Sequence, residues 1–216
     1  MNLDLDVFTP LPEVLSHLRE GRIVLVADDA TRENEVDAIV SAELATAQSI
    51  GWMVRHTSGF LCTPMTSDRA DFLELPPLVA HNEDPRGTAY AVTVDARAVE
   101  STGISASDRA RTVNTLADAG ACPRDLIRPG HILPLRAHPL GTLGRRGHTE
   151  ATLDLLLLAG LSPVGVLAEL VDDVGEMIRA GDVAADERYA GMAFTTVAEV
   201  ARALGEAAPK AVTVGP

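Results

Sequence analysis

The chain is predicted to adopt an α+β fold in a single domain over residues 1–216, on three observations. Helix-like and strand-like segments mix along it without the strict alternation of a doubly wound sheet. At 46% hydrophobic content, 216 residues suffice for one core of ordinary size. No internal repeat or low-complexity segment points to a stacked architecture.

Leu11 to Glu20 carries apolar residues at helical spacing and ends at Gly21, so it reads as a first helix. RIVLVA, Arg22 to Ala27, follows as a β-branched strand, and after the acidic segment Asp28 to Asp37 the run AIVSA reads as a second. Thr46 offers an N-cap for a helix through about Arg55, and Gly59 to Met65 reads as extended. The Pro/Asn/Asp/Gly-rich stretch Leu75 to Gly87 predicts a surface loop, and TAYAVTVDA, Thr88 to Ala96, a strand. Ser105 or Ser107 can cap a helix closed by Gly120, and PGHILPLRA reads as a short extended piece. Thr149 to Ala159 predicts an apolar helix closed by Gly160, and Val164 to Leu170 a buried strand. Thr196 to Leu204 predicts a final helix whose capping box is Thr196 and Glu199.

Net charge is −13, from 31 acids against 18 bases, with no segregated basic face, which disfavours nucleic acid as a partner. Lys210 is the only lysine, and arginine suits bidentate recognition of a small phosphate or carboxylate. The longest uncharged apolar stretch, Leu155 to Ala168, has 14 residues and is broken by Gly160 and Pro163. A membrane helix needs roughly 20, so no membrane partner is expected. MNLDLDVFTP lacks the features of a signal peptide, and Cys62 and Cys122 form no CxxC pair. A cytoplasmic location without disulfide or structural zinc is expected.

Asp28, Asp29, Glu33, Glu35 and Asp37 fall within ten residues. They would raise one another's pKa in low dielectric unless a cation sat among them, and oxygen ligands suit magnesium or manganese. Glu33, Glu35 and Asp37 alternate, so an extended chain would turn them to one side. A solvated acidic loop is the other reading. Arg145-Arg146-Gly147-His148-Thr149-Glu150 sets cation, glycine, imidazole, hydroxyl and carboxylate at a helix start, where free N–H groups attract an anion. Arg145 would neutralise a phosphate, Gly147 would let backbone approach, and Thr149 would cap the helix; an ordinary capped helix start is the alternative. His131 lies on a Pro-Gly turn, Cys62 in an apolar stretch, and Glu169 at the end of a buried strand where a carboxylate needs a partner.

Taken together, these segments resemble the 3,4-dihydroxy-2-butanone 4-phosphate synthase family of riboflavin biosynthesis, from roughly Pro12 to Arg179. DDATRENEVD is similar to that family's DDExRENEGD, STGISASDRA to TTGISAxDRA, RPGHILPL to RPGHVFPL, RRGHTEATLDLLLLAGL to RxGHTEAxVDLxxLAGL and GVLAEL to GVxCEL. The resemblance implies a homodimer of α+β subunits, each a mixed sheet with surrounding helices. It implies conversion of ribulose 5-phosphate to 3,4-dihydroxy-2-butanone 4-phosphate and formate, with Mg2+ (or Mn2+) as cofactor. By motif, Glu33 and His148 would hold the metal. Arg32, Glu33, Asp37, Thr102, Arg145, Arg146, Gly147, His148, Thr149 and Glu169 would bind substrate. His131, Glu169, Glu35, Cys62 and Glu150 would be catalytic.

Five residues depart from the family pattern: Ala30 for Glu, Val36 for Gly, Ser101 for Thr, Ala168 for Cys and Val174 for Asp. Ala30 removes a carboxylate and Val36 stiffens a position where glycine would permit positive φ, so altered loop closure, metal affinity or substrate choice is expected. A paralogue acting on another sugar phosphate and an inactive sugar-phosphate-binding protein are the alternative readings.

Overall fold

The apolar runs after the first helix become neighbouring antiparallel strands, β1 (Val24–Ala27) and β2 (Val36–Ser41), with every residue of both buried. The computed structural model that shows this describes residues 7–207. β3 (Cys62–Met65), β4 (Val94–Ala96), β5 (Leu126–Arg136), β6 (Gly165–Glu169) and β7 (Phe194–Thr196) complete one sheet, in the order β4-β5-β3-β6-β2-β1-β7. β1 pairs with β7 and β3 with β5 in parallel, and the other pairings are antiparallel, so the sheet is mixed and the fold α+β.

Strand residues that alternate face send their side chains to two separate helix layers. Leu25, Val36, Ala38 and Val40 pack with Ile50 and Met53 of α2 (Ala47–His56) and with Val113 and Leu116 of α4 (Ala106–Ala117). Val24, Val26, Ile39, Leu135 and Leu167 pack on the opposite face. There they meet α1 (Leu11–Arg19), α5 (His148–Ala159) and α7 (Val197–Ala207). By the same alternation Asp37 shares a face with Ile39, and Glu169 with Leu167, so both carboxylates stand on the α5 side.

Local chemistry sets the helix ends. Thr46 accepts the Ser49 N–H at 3.1 Å, and Ser105, of the two candidate serines, accepts the Asp108 N–H at 3.1 Å. Gly160 closes α5 at φ 76°, a left-handed conformation that lets Leu161 N–H reach back to Leu156 O at 2.9 Å. Four expectations differ. α4 ends at Ala117 with Asp118 after it, short of Gly120. α5 begins at His148 behind Gly147, which has no side chain to cap it, so Thr149 lies inside the helix and is not its cap. Thr196 accepts the Glu199 N–H at 3.0 Å, but Glu199 turns to Arg202 instead of completing the box. Only Val94–Ala96 of TAYAVTVDA is strand, because the segment before it meets the sheet through single bridges such as Tyr90–Leu135. α3 (Ser67–Phe72), α6 (Ala180–Ala185) and β7 were not foreseen, since three to six residues are too few to display a period.

The expectation for Val36 is also corrected. It opens β2 opposite Ala27 and is fully buried, while the positive φ of the loop, 59°, falls on Asn34. Asn tolerates that conformation, so glycine's freedom is not required at position 36. Val36→Gly is therefore expected to lower unfolding free energy by about 2–4 kcal/mol, from lost burial plus strand-glycine entropy, without raising activity. Urea unfolding checks this, and an unchanged midpoint would contradict it.

Candidate active site

The acidic loop between β1 and β2 folds around Asp28. Its side chain is fully buried and accepts the N–H groups of Glu33 at 3.1 Å and Glu35 at 2.9 Å, and the Arg32 guanidinium at 2.9 Å. Arg32 also pairs with Glu33. Glu33, Glu35 and Asp37 consequently line one cleft, although the chain between them is not extended at Asn34.

α5 delivers His148 to the same cleft. Its Nε2 lies 3.1 Å from Val26 O, and a carbonyl only accepts, so Nε2 carries the proton and Nδ1 is left bare. Burial pushes the ring's pKa down to about 4, which keeps it neutral near pH 7. Nδ1 faces Asp37 Oδ1 at 3.5 Å and Glu33 Oε2 at 3.9 Å. Asp28, Glu33 and His148 each offer an atom, all within 4.8 Å of one another. Asp28 was only one of five loop acids in the sequence, and no signal there marked it out.

A cation fits this arrangement. Asp37 Oδ1 is buried without a hydrogen-bond partner, and Asp37 stands directly across from Glu169 in the β2–β6 ladder. Burial, then Glu169 and Glu35, push the Asp37 carboxyl well above the usual range; burial and then Glu33 raise Glu35. Acceptors that face acceptors repel unless a positive charge joins them. Carboxylates with one imidazole suit a hard divalent ion.

The remaining walls are set by neighbouring elements. Cys62 starts β3 on the cleft floor between Leu133 and Leu167, and burial pushes its thiol up, so it is a neutral, small side chain. Glu169 accepts the Ser58 hydroxyl at 2.7 Å. Arg145 reaches the cleft from the α5 side, held by Glu150 at 2.7 Å and Thr88 Oγ1 at 3.1 Å. Glu150 is buried behind it and also accepts His138 N–H at 3.0 Å, so it holds Arg145 and does not line the cleft. Gly147 gives the guanidinium room, since a Cβ there would lie 2.3 Å from Arg145 Nη1. Thr149 lines the cleft, and the first N–H groups of α5 have no carbonyl a turn behind them.

Three sequence candidates lie elsewhere. Arg146 is exposed on the surface. His131 and Thr102 do not line the cleft; both are exposed, on a rim beside β4 where His131 rests on the buried Asp95 and Gly103 follows Thr102 onto that pair. Thr88 and Tyr90 do line it, though TAYAVTVDA had suggested only a strand.

Bare imidazole nitrogen, converging carboxylates and an arginine beside free helix N–H groups make a site that could hold a divalent ion next to a small anion. The chain belongs to the 3,4-dihydroxy-2-butanone 4-phosphate synthase family, whose model matches residues 12–203. The match extends past Arg179, where the motif resemblance weakened. The chain is 49% identical over 178 residues to the 3,4-dihydroxy-2-butanone 4-phosphate synthase of Candida albicans, covering 82% of this chain and 87% of that one. It is 44% identical over 206 residues to the Saccharomyces cerevisiae protein of that name, covering 92% and 99%. It is also 55% identical over 176 residues to the riboflavin biosynthesis protein RibBA of Salinispora arenicola, of which it spans only 42% while 82% of this chain is covered. A crystal structure of 3,4-dihydroxy-2-butanone 4-phosphate synthase in complex with two magnesium ions matches with TM-score 0.87 at 44% identity, covering 93% of this chain and 98% of that one.

Proposed function

We propose that the protein converts D-ribulose 5-phosphate to 3,4-dihydroxy-2-butanone 4-phosphate and formate, a lyase step of riboflavin biosynthesis, with Mg2+ or Mn2+ bound. The observation that carries this reading is the bare His148 Nδ1 facing Glu33 and the unpartnered Asp37 Oδ1, in the fold of this family. Glu33 and His148 would hold the ion, with Asp28 alongside. Bound there, it supplies Lewis acidity that polarises the ketone and offsets negative charge on neighbouring sugar oxygens.

The protein's own groups divide the other tasks. Arg145 and the first N–H groups of α5 bind the phosphate remote from the reacting carbons. Glu35, whose pKa is raised, and Glu169 move protons at the sugar, and His131, which lies outside its own cleft, serves as base or acid where a second copy meets it. Arg32 and Asp37 orient the sugar hydroxyls, and Cys62 presents an uncharged floor. EDTA is expected to abolish formate release, and Mg2+ or Mn2+ to restore it. Full activity after rigorous chelation would contradict the metal's role.

Arg145→Ala is expected to weaken substrate binding by about 1.5–3 kcal/mol through loss of a charge-assisted contact. A raised KM for ribulose 5-phosphate checks this, and an unchanged KM would remove Arg145 from the phosphate site.

We also propose that two copies pair over the rim that carries His131. Ile104 follows Gly103 there, Ile127 stands opposite Asp95, and Phe60 precedes β3; all three are exposed, at 52%, 38% and 54%. A second copy would cover these side chains and exclude water from the rim. Sedimentation at micromolar concentration should show twice the 22.8 kDa chain mass, and a fully active monomer would contradict pairing. Among the described residues no helix is long and apolar enough to cross a membrane. Free Cys62 and Cys122 fit the reducing cytoplasm as the place of work.

A further inference from the structure

His131 is held more elaborately than a solvent-exposed histidine needs to be. Asp95, on β4, binds it twice: Oδ1 accepts the His131 backbone N–H at 3.0 Å, and Oδ2 lies 2.7 Å from Nδ1. Asp95 is buried, whereas the His131 side chain is 39% exposed. A bulge in the β4–β5 ladder between Val94 and Asp95 produces this geometry. Gly130 crosses the bulge so closely that a Cβ would lie 2.0 Å from the Val94 carbonyl carbon, and its N–H is held by Thr93 Oγ1 at 3.2 Å.

A second support comes from the 101–103 loop. Gly103, at φ 94°, lies on the pair, where a Cβ would come 2.2 Å from Asp95 Oδ2 and 2.8 Å from His131 Nδ1. Asp108 of α4 anchors that loop by accepting the Ser101 hydroxyl and the N–H groups of Glu100, at 3.0 Å, and Gly103, at 3.2 Å. Four separate features thus converge on one imidazole: a buried carboxylate, a bulge and two glycines that no side chain can replace.

We infer that Asp95 is the positioning residue of His131: by accepting the Nδ1 proton it fixes the tautomer whose bare Nε2 faces outward to take a proton from the substrate. The carboxylate is an acceptor only, so the Nδ1 proton stays on the ring while Nε2 is free. When Nε2 gains the proton, Asp95 faces the imidazolium and stabilises it, and the proton leaves again from Nε2. The inference rests on the reading of His131 as an acid or base in the proposed reaction. It adds that the residue's power depends on Asp95.

The test compares Asp95→Asn, His131→Ala and the double variant in the metal-loaded full chain. Asp95→Asn is expected to lower kcat on the order of 100-fold with KM little changed, and the double variant to be no slower than His131→Ala. Nitrogen-15 spectra of histidine-labelled protein should show His131 in the Nδ1–H form, and a mixture of tautomers in Asp95→Asn. A purely structural role for Asp95 predicts additive losses and an unchanged tautomer. If His131→Ala is inactive while Asp95→Asn keeps full kcat, the inference about Asp95 is overturned. If His131→Ala is itself fully active, it is the underlying reading of His131 that fails.

Discussion

His148→Ala is expected to abolish Mg2+ binding in calorimetric titration and to lower kcat by about 10³-fold. Removal of one nitrogen ligand forfeits much of the several kcal/mol that a positioned cation contributes, and about 1.4 kcal/mol corresponds to each factor of ten. The ring is prepared for this role: Val26 O takes its Nε2 proton and burial keeps it neutral. Its loss also leaves Asp28, Glu33 and Asp37 without a partner that bears a bare nitrogen. Retention of both Mg2+ affinity and turnover in a folded His148→Ala protein would dismiss it as a ligand.

Glu169→Gln is expected to lower kcat by about 10²- to 10⁴-fold, the range in which a positioned proton-transfer group acts. Stability should not fall with it. The amide keeps an oxygen to accept the Ser58 hydroxyl and relieves the repulsion between Glu169 and its cross-strand neighbour Asp37. Loss of turnover with an equal or higher melting temperature separates a chemical role from a structural one. A variant as active as the parent would exclude proton transfer by Glu169.

The main elements were legible because apolar periodicity and caps speak locally: Thr46, Ser105, Gly160 and the buried strands all act within a few residues of themselves. The cleft was legible where chemistry is dense in sequence, as in Glu33, Glu35 and Asp37 or Arg145 and His148. What stayed hidden depends on distant partners. Asp28 differs from the other loop acids only in being the one about which the loop folds. Asp95 acquires a role only when β4 lies beside β5 and brings His131, 36 residues further on, against it. Glu150 illustrates the reverse: its motif suggested catalysis, but α5 turns it away from the cleft to hold Arg145. Val36 carries the same lesson, since its effect depends on a buried strand position and not on the loop it adjoins.

Formate release from D-ribulose 5-phosphate, measured together with the four-carbon phosphate formed, is the direct test of the function. Other pentose phosphates should be assayed in parallel, because Ala30 changes the loop that carries Arg32 and Glu33 into the cleft. With Mg2+ present, the proposed function predicts equimolar formate and 3,4-dihydroxy-2-butanone 4-phosphate from ribulose 5-phosphate, in preference to the other sugars. Absence of formate from a folded, Mg2+-loaded protein, or faster turnover of a different sugar phosphate, would contradict it.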